Sequence, residues 1–224
     1  FKQELTDYMV ELSTSEMKEY FRPNFFTNTP DILPEVLQQG GRPAFMFRLV
    51  LAATLSPSYG IYSGYELCEN RALPGREEYL DSEKYEITVW DWDRPGHIID
   101  YVTTINRIRR ENPALHELEN LEFYESDNDQ VLFYGKSTAD KMNTVLVAVN
   151  LSPFQYQEAH LRIPLAALGL KPEDSYQLHN VITDRRDLMT GDSYIVRLDP
   201  KVEPAVIFVV RRWTHREQEV DFFS

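Results

Sequence analysis

One carboxylate is singled out by the stretch that delivers it. In Phe21 to Leu33, FRPNFFTNTPDIL, the aromatic pair Phe25-Phe26 runs into a polar turn, Thr27-Asn28-Thr29-Pro30, and then into Asp31. A long apolar run, Phe45 to Leu55, follows. A strand, a polar loop with an acid, then a buried helix is how a β/α unit presents a catalytic group at the carboxyl end of a strand. An Asp after a turn also serves as a helix cap or a solvated loop acid, so the motif alone leaves both readings open.

A second candidate pair is Lys84-Tyr85, in SEKYEI. An ammonium donates to several hydroxyls at once. A tyrosine ring offers a sugar an apolar face and one hydroxyl handle. The plain alternatives are a solvated loop lysine and a ring packed beneath a long loop. Tyr59, Tyr62 and Trp92 could line subsites, although aromatics at strand ends more often belong to a core. Cys68 is the only cysteine, so no intrachain disulfide forms, which fits a reducing, cytoplasmic setting. No histidine lies near it in sequence, and an inert thiol is the better reading. His97, His116, His160, His179 and His215 show no ligand spacing, and neither a metal nor a cofactor is expected.

The charge balance narrows the partner. The 224 residues hold 36 acidic and 23 basic side chains, for a net charge of -13. Neutralising phosphates takes clustered Lys and Arg, so neither nucleic acid nor an anionic membrane is an expected partner. The one dense basic run, Arg107 to Arg110, falls near a predicted helix end and reads as structural. A neutral polyol such as a sugar fits an acidic chain that is 12% aromatic. No apolar stretch of about 18 residues exists to span a membrane.

The elements that must position these residues can be read in order. Leu5, Tyr8, Met9 and Leu12 make one face of a helix over Lys2 to Leu12. A short turn follows to Tyr20, and then the strand at Phe25-Phe26. Gly40-Gly41 breaks the chain, and Pro43 opens a buried helix through Phe45 to Leu55. Tyr59 to Tyr65 reads as a second buried strand, with Gly60 and Gly64 permitting close approach by backbone or ligand. Glu66 to Asp93 is a long irregular loop of the kind that is usually functional. Pro95-Gly96 opens a helix carrying Ile98, Val102 and Ile105, which ends near Asn112-Pro113.

After about Ala114 the apolar period changes from 3.6 to 2. Seven strands are predicted: Leu121 to Glu125, Val131 to Gly135, Thr144 to Asn150, Glu158 to Ile163, Ser175 to His179, Ser193 to Leu198 and Ala205 to Arg211. Together they read as an antiparallel β-sandwich. Two buried parallel strands cannot form a stable layer alone, and a barrel needs eight. The expected fold is therefore the last β/α units of a (β/α)8 TIM barrel over residues 1–114, a β-sandwich over 115–213, and a charged tail over 214–224. The chain starts inside a helix without an initiator Met, which reads as a piece of something longer.

Three stretches carry a resemblance: RPNFFTNTPDIL (22–33), SYGIYSGYELCENRALPGREEYLDSEKYEI (58–87) and INRIRRENPAL (105–115). They are similar to the bacterial maltose-1-phosphate maltosyltransferases of the α-amylase superfamily, and the likeness extends to Trp213. Ordinary α-amylases and trehalose synthases carry Asn-His-Asp where this chain has Asn28-Thr29-Pro30-Asp31. The missing His departs from them and matches the maltosyltransferase subgroup.

The resemblance implies a retaining glycosyltransferase that moves maltosyl from maltose 1-phosphate to the non-reducing end of α-1,4-glucans. Asp31 matches the third carboxylate of the superfamily, which holds sugar hydroxyls and stabilises the oxocarbenium-like transition state. Lys84 and Tyr85 match a pair that binds the maltosyl donor. The nucleophilic Asp and the acid/base Glu have no counterpart here, so the chain alone is expected to be inactive. A homodimer is compatible with the resemblance. The competing readings are a carbohydrate-binding or structural sandwich module, and an amylase or trehalose synthase relative, which the missing His opposes.

Overall fold

The computed structural model describes residues 1–82 and 87–212. Lys84, Tyr85 and the tail from Trp213 lie outside the described residues. The chain opens with α1 (Lys2–Thr14) and a single turn, α2 (Met17–Tyr20). Met9 and Leu12 are buried, whereas Tyr8 stays half exposed and stacks on Phe25 with ring centroids 6.4 Å apart. The apolar face is thus narrower than the spacing of Leu5, Tyr8, Met9 and Leu12 predicts.

Strand β1 (Asn24–Phe26), helix α3 (Glu35–Leu55) and strand β2 (Ser58–Gly60) make one parallel unit, with Phe25 opposite Tyr59. Helix α3 begins earlier than predicted and is kinked rather than broken. Gly41 sits at φ 55°, ψ -157° inside it, a conformation that glycine reaches at little cost. Pro43 then restarts the helix, because its missing N–H is lost where the kink has already left donors unmatched. From Ala44 to Leu55 every residue except Arg48 is buried.

The predicted strand Tyr59 to Tyr65 is a correction: β2 covers only Ser58–Gly60. The chain then turns through Gly64 at φ 93° into a 3-10 turn, Tyr65–Leu67. Gly60 and Gly64 do allow close approach, but by aromatic side chains. A Cβ on Gly60 would lie 2.5 Å from the Phe26 ring, and one on Gly64 2.6 Å from the Trp90 ring.

After α4 (Ile99–Glu111) come eight strands, not seven: β3 (Leu121–Phe123), β4 (Val131–Ser137), β5 (Thr144–Asn150), β6 (Gln157–Arg162), β7 (Ser175–Asn180), β8 (Arg185–Thr190), β9 (Ser193–Leu198) and β10 (Ala205–Arg212). The unpredicted one, β8, reads RRDLMT and is an edge strand with little buried surface. Neither face of β8 is buried against a core, so nothing imposes an apolar alternation on its sequence.

Six strands form one antiparallel sheet in the order β3-β4-β5-β10-β7-β8, and β6 pairs with β9 in a second. The central strands are buried on both faces, which is why β5, TVLVAVN, is apolar almost throughout. Its alternate residues serve two cores. Val145, Val147 and Val149 face the helices, with Leu132, Tyr134 and Ile207. Leu146 and Ala148 face the β6–β9 pair, with Phe133, Val196 and Phe208. Helix α3 therefore lies in one continuous core with the large sheet, and Gly40 is needed there because a Cβ would sit 2.9 Å from Pro153.

Candidate active-site turn at the ends of two parallel strands

Strands β1 and β2 end side by side, so the residues after them share one edge. The pairing continues one step past the strand, where the Thr27 N–H donates to the Gly60 carbonyl at 3.0 Å. Thr27 and Asn28 are buried, although neither lies in a strand. Their polar groups must find partners off the sheet ladder, because unmatched buried groups are rare. Asn28 Oδ1 accepts from the Tyr62 N–H at 2.9 Å and from Thr27 Oγ1 at 2.9 Å. Asn28 Nδ2 donates to the Tyr79 hydroxyl at 2.6 Å. Arg48, the single polar interruption of the buried helix run that stays partly exposed, donates Nε to the Thr27 carbonyl at 2.6 Å.

The chain then closes a tight turn. Thr29 and Ile32 exchange both backbone hydrogen bonds, at 3.0 and 3.2 Å, with Pro30 and Asp31 at the tip. Pro30 fixes its own φ and has no N–H to satisfy, which suits the first tip position. Asp31 is exposed and lies five positions beyond the end of β1. Among the described residues, its carboxylate makes no hydrogen bond or ion pair. The turn thus delivers an exposed carboxylate beyond the strand ends, on a base held by buried hydrogen bonds.

The long loop after β2 is strapped to this turn. The Tyr79 N–H donates to the Pro30 carbonyl at 3.3 Å and the Leu33 N–H to the Glu77 carbonyl at 2.6 Å. Glu77 Oε1 also accepts the Glu35 N–H at 3.0 Å, at the start of α3. Glu69, nearly buried, bonds Arg94 Nη1 and Arg71 Nε, each at 3.0 Å. Burial opposes ionisation of Glu69, but the bonds from Arg94 and Arg71 outweigh it and hold its carboxyl below the ordinary value.

The other candidates fall as follows. Burial pushes the Cys68 thiol up to about 11, which keeps it protonated and inert at neutral pH. Tyr59 hydrogen-bonds Asn106 and lies beneath Arg109, whose guanidinium carbon is 5.2 Å from the ring centroid. Tyr62 packs on Tyr79, with centroids 5.6 Å apart. Trp92 is half exposed on the loop. Among the described residues, no group of three or more His, Cys, Asp and Glu could hold a metal ion. No helix among them is long and apolar enough to cross a membrane.

The Asn28–Tyr79 contact and the two ion pairs of Glu69 escape sequence reasoning. The partners Asn28 and Tyr79 are 51 positions apart, and no spacing rule connects them. The only signal is the density of aromatics in a long loop. Within the basic run, Arg109 has structural partners, but not at the helix end its place in the sequence suggests. Arg109 donates to carbonyls at the end of α3, not of its own helix: Ala53 at 2.6 Å and Ser56 at 2.9 Å.

The family model described as GLGE, C-terminal matches residues 123–210. The alpha-1,4-glucan:maltose-1-phosphate maltosyltransferase of Myxococcus xanthus is 48% identical over 224 residues, covering 100% of this chain and 34% of that protein. The enzyme of the same name from Rhodospirillum rubrum is 52% identical over 207 residues, 92% of this chain and 30% of its own. The chain thus spans about a third of the length of the curated relatives it matches.

Among solved structures, an alpha-amylase from Geobacillus thermoleovorans complexed with acarbose has TM-score 0.68 at 19% identity, covering 95% of this chain and 44% of that one. An Anoxybacillus alpha-amylase has TM-score 0.65 at 17% identity, covering 95% and 42%. At such identities the likeness shows a shared fold alone. The sequence matches place the chain with the carboxyl-terminal part of the maltose-1-phosphate maltosyltransferases.

Proposed function

We propose that the intact protein containing this chain is a retaining glycosyltransferase. It transfers maltosyl from maltose 1-phosphate to the non-reducing end of an α-1,4-glucan. The observation that carries this reading is the match to a curated maltosyltransferase along the whole chain, at 48% identity. In this reading residues 1–114 are the last β/α units of an eight-stranded barrel, 115–213 its β-sandwich and 214–224 a tail. The parallel β1–α3–β2 unit supports the barrel, since barrel chemistry sits at the carboxyl ends of such strands.

Asp31 is then the third carboxylate. It holds hydroxyls of the reacting sugar and stabilises positive charge as the anomeric carbon loses phosphate. Its exposure at the strand ends supports this role, because a carboxylate already committed to an arginine could not take it up. Lys84 and Tyr85 bind the donor. A nucleophilic Asp forms the glycosyl ester as phosphate leaves, and a Glu acid/base about 5 Å away deprotonates the acceptor 4-hydroxyl that displaces it. Both belong to the portion of the relatives that this chain does not span. The lone Cys68, a free thiol, accords with a cytoplasmic setting. A homodimer is a matter for sedimentation of the intact protein.

The test is phosphate release. The intact protein should release inorganic phosphate from maltose 1-phosphate when glycogen is supplied, with chain extension and no free maltose. The 224-residue chain should release none. Phosphate-independent hydrolysis of glucan by the intact protein would replace this reading with an amylase-like one. Turnover by the chain alone would overturn the placement of the missing carboxylates.

A further inference from the structure

We propose that Tyr79 is a positioning residue for Asp31. Its hydroxyl and its backbone N–H together hold the segment Asn28–Asp31 at the strand ends. The inference rests on the reading that Asp31 faces substrate.

Asp31 itself touches no side chain through a polar contact among the described residues, so its place is set by the backbone that carries it. That backbone leaves the sheet at Thr27, and its course is fixed by what Asn28 and Pro30 bind. Tyr79 binds both. The Tyr79 hydroxyl accepts from Asn28 Nδ2 at 2.6 Å and donates to the Glu69 carbonyl at 3.2 Å. The Tyr79 N–H donates to the Pro30 carbonyl at 3.3 Å, in the peptide that leads into Asp31. Tyr79 is 4% exposed, and its ring packs on Tyr62, whose own N–H is bonded to Asn28 Oδ1. One buried residue therefore grips the base of the turn through its side chain and the tip through its main chain.

Removing the hydroxyl alone separates these two grips. The Asn28 amide then has a buried donor with no acceptor, and the amide must turn or admit water. The Pro30 bond and the ring packing survive. The turn keeps its shape but loses the anchor that sets its height above the strands. Displacements of about 1 Å at such a site cost roughly a hundredfold in rate.

The experiment uses the intact maltosyltransferase and Tyr79→Phe. Expected is a fall of about 10- to 100-fold in kcat for phosphate release, with kcat/KM falling equally, the pattern of an interaction felt in the transition state. Peptides covering 29–33 should exchange amide hydrogens faster. A purely structural tyrosine would lower the melting temperature and leave kcat per folded molecule and the exchange of this turn unchanged, which would overturn the proposal. Asn28→Ser breaks the same contact from the other side, together with the bonds from the Tyr62 N–H and Thr27 Oγ1, so its loss should equal or exceed that of Tyr79→Phe. The double variant should lose no more than the worse single one, because the two groups act as one unit. If Tyr79→Phe does not accumulate folded, Asn28→Ser decides. If the unaltered protein transfers no maltosyl, the functional reading fails, while amide exchange still reports whether Tyr79 holds the turn.

Discussion

Lys136 and Arg109 meet at the same helix end. Lys136, buried in β4, donates Nζ to the Leu55 carbonyl at 3.0 Å and to the Glu117 carbonyl at 2.6 Å. Arg109, from the last turn of α4, donates to the carbonyls of Ala53 and Ser56. The last carbonyls of a helix have no partner within it, and they form the negative end of its dipole. Two cations from different layers satisfy the end of α3 and join the helices to the large sheet. The cost falls on the lysine. Burial, and then the charge of Arg109, pushes Lys136 down to about 7.

Lys136→Ala should therefore destabilise the protein by about 2–4 kcal/mol, since a buried and a part-buried carbonyl lose their donor and a cavity opens. Lys136→Met should cost less, because it refills the volume and removes a desolvated charge. Equilibrium urea unfolding of both variants measures this. Equal losses would mean that the lost hydrogen bonds alone decide the position.

Arg109→Lys keeps the charge but loses the planar fork that reaches several carbonyls at once. A loss of about 1–2 kcal/mol is expected from the abandoned hydrogen bonds. Thermal unfolding at low and high salt should show the same loss, because the bonds are partly buried and poorly screened.

Glu69 predicts a pH dependence on the acid side. Its carboxyl is held below the ordinary value of 4.5, so below that pH the unfolded chain binds more protons than the folded one. Stability from this group is fully present above the ordinary value and is lost as pH falls through the folded value. Glu69→Gln should flatten the acid limb of a stability-versus-pH curve relative to the unaltered protein. An unchanged limb would mean that other carboxylates dominate it.

Gly64→Ala should destabilise by about 1–3 kcal/mol. Gly64 sits at φ 93°, and an added Cβ would lie 2.6 Å from the Trp90 ring. Displacing that ring should also shift the tryptophan fluorescence, which gives a second reading of the same contact.

Asp31→Asn in the intact protein should lower kcat for phosphate release by about 10²–10³-fold, the usual loss when one stabiliser of developing charge is removed. Stability should barely change, since the side chain is exposed and makes no bond among the described residues. A large loss of stability would mark Asp31 as a structural turn residue instead.

Much of the fold is legible in spacing. The helices through Leu12, Leu55 and Ile105 follow from apolar residues three and four apart, and alternation with turn chemistry places β5 and β9 to the residue. Strand β8 is not legible, because neither of its faces is buried and no alternation results. The spacing overextends β2, because the rings and glycine between Ile61 and Tyr65 suit a strand as well as they suit the turn that Gly64 makes. Local periodicity is a property of neighbours along the chain, and so the amino-acid order alone determined the helices, the alternating strands and the turn that carries Asp31. Which distant group holds that turn depends on burial and hydrogen-bond geometry across 51 positions, so only the tertiary structure decided that Tyr79 would anchor Asn28, and that Lys136 and Arg109 would share the end of α3.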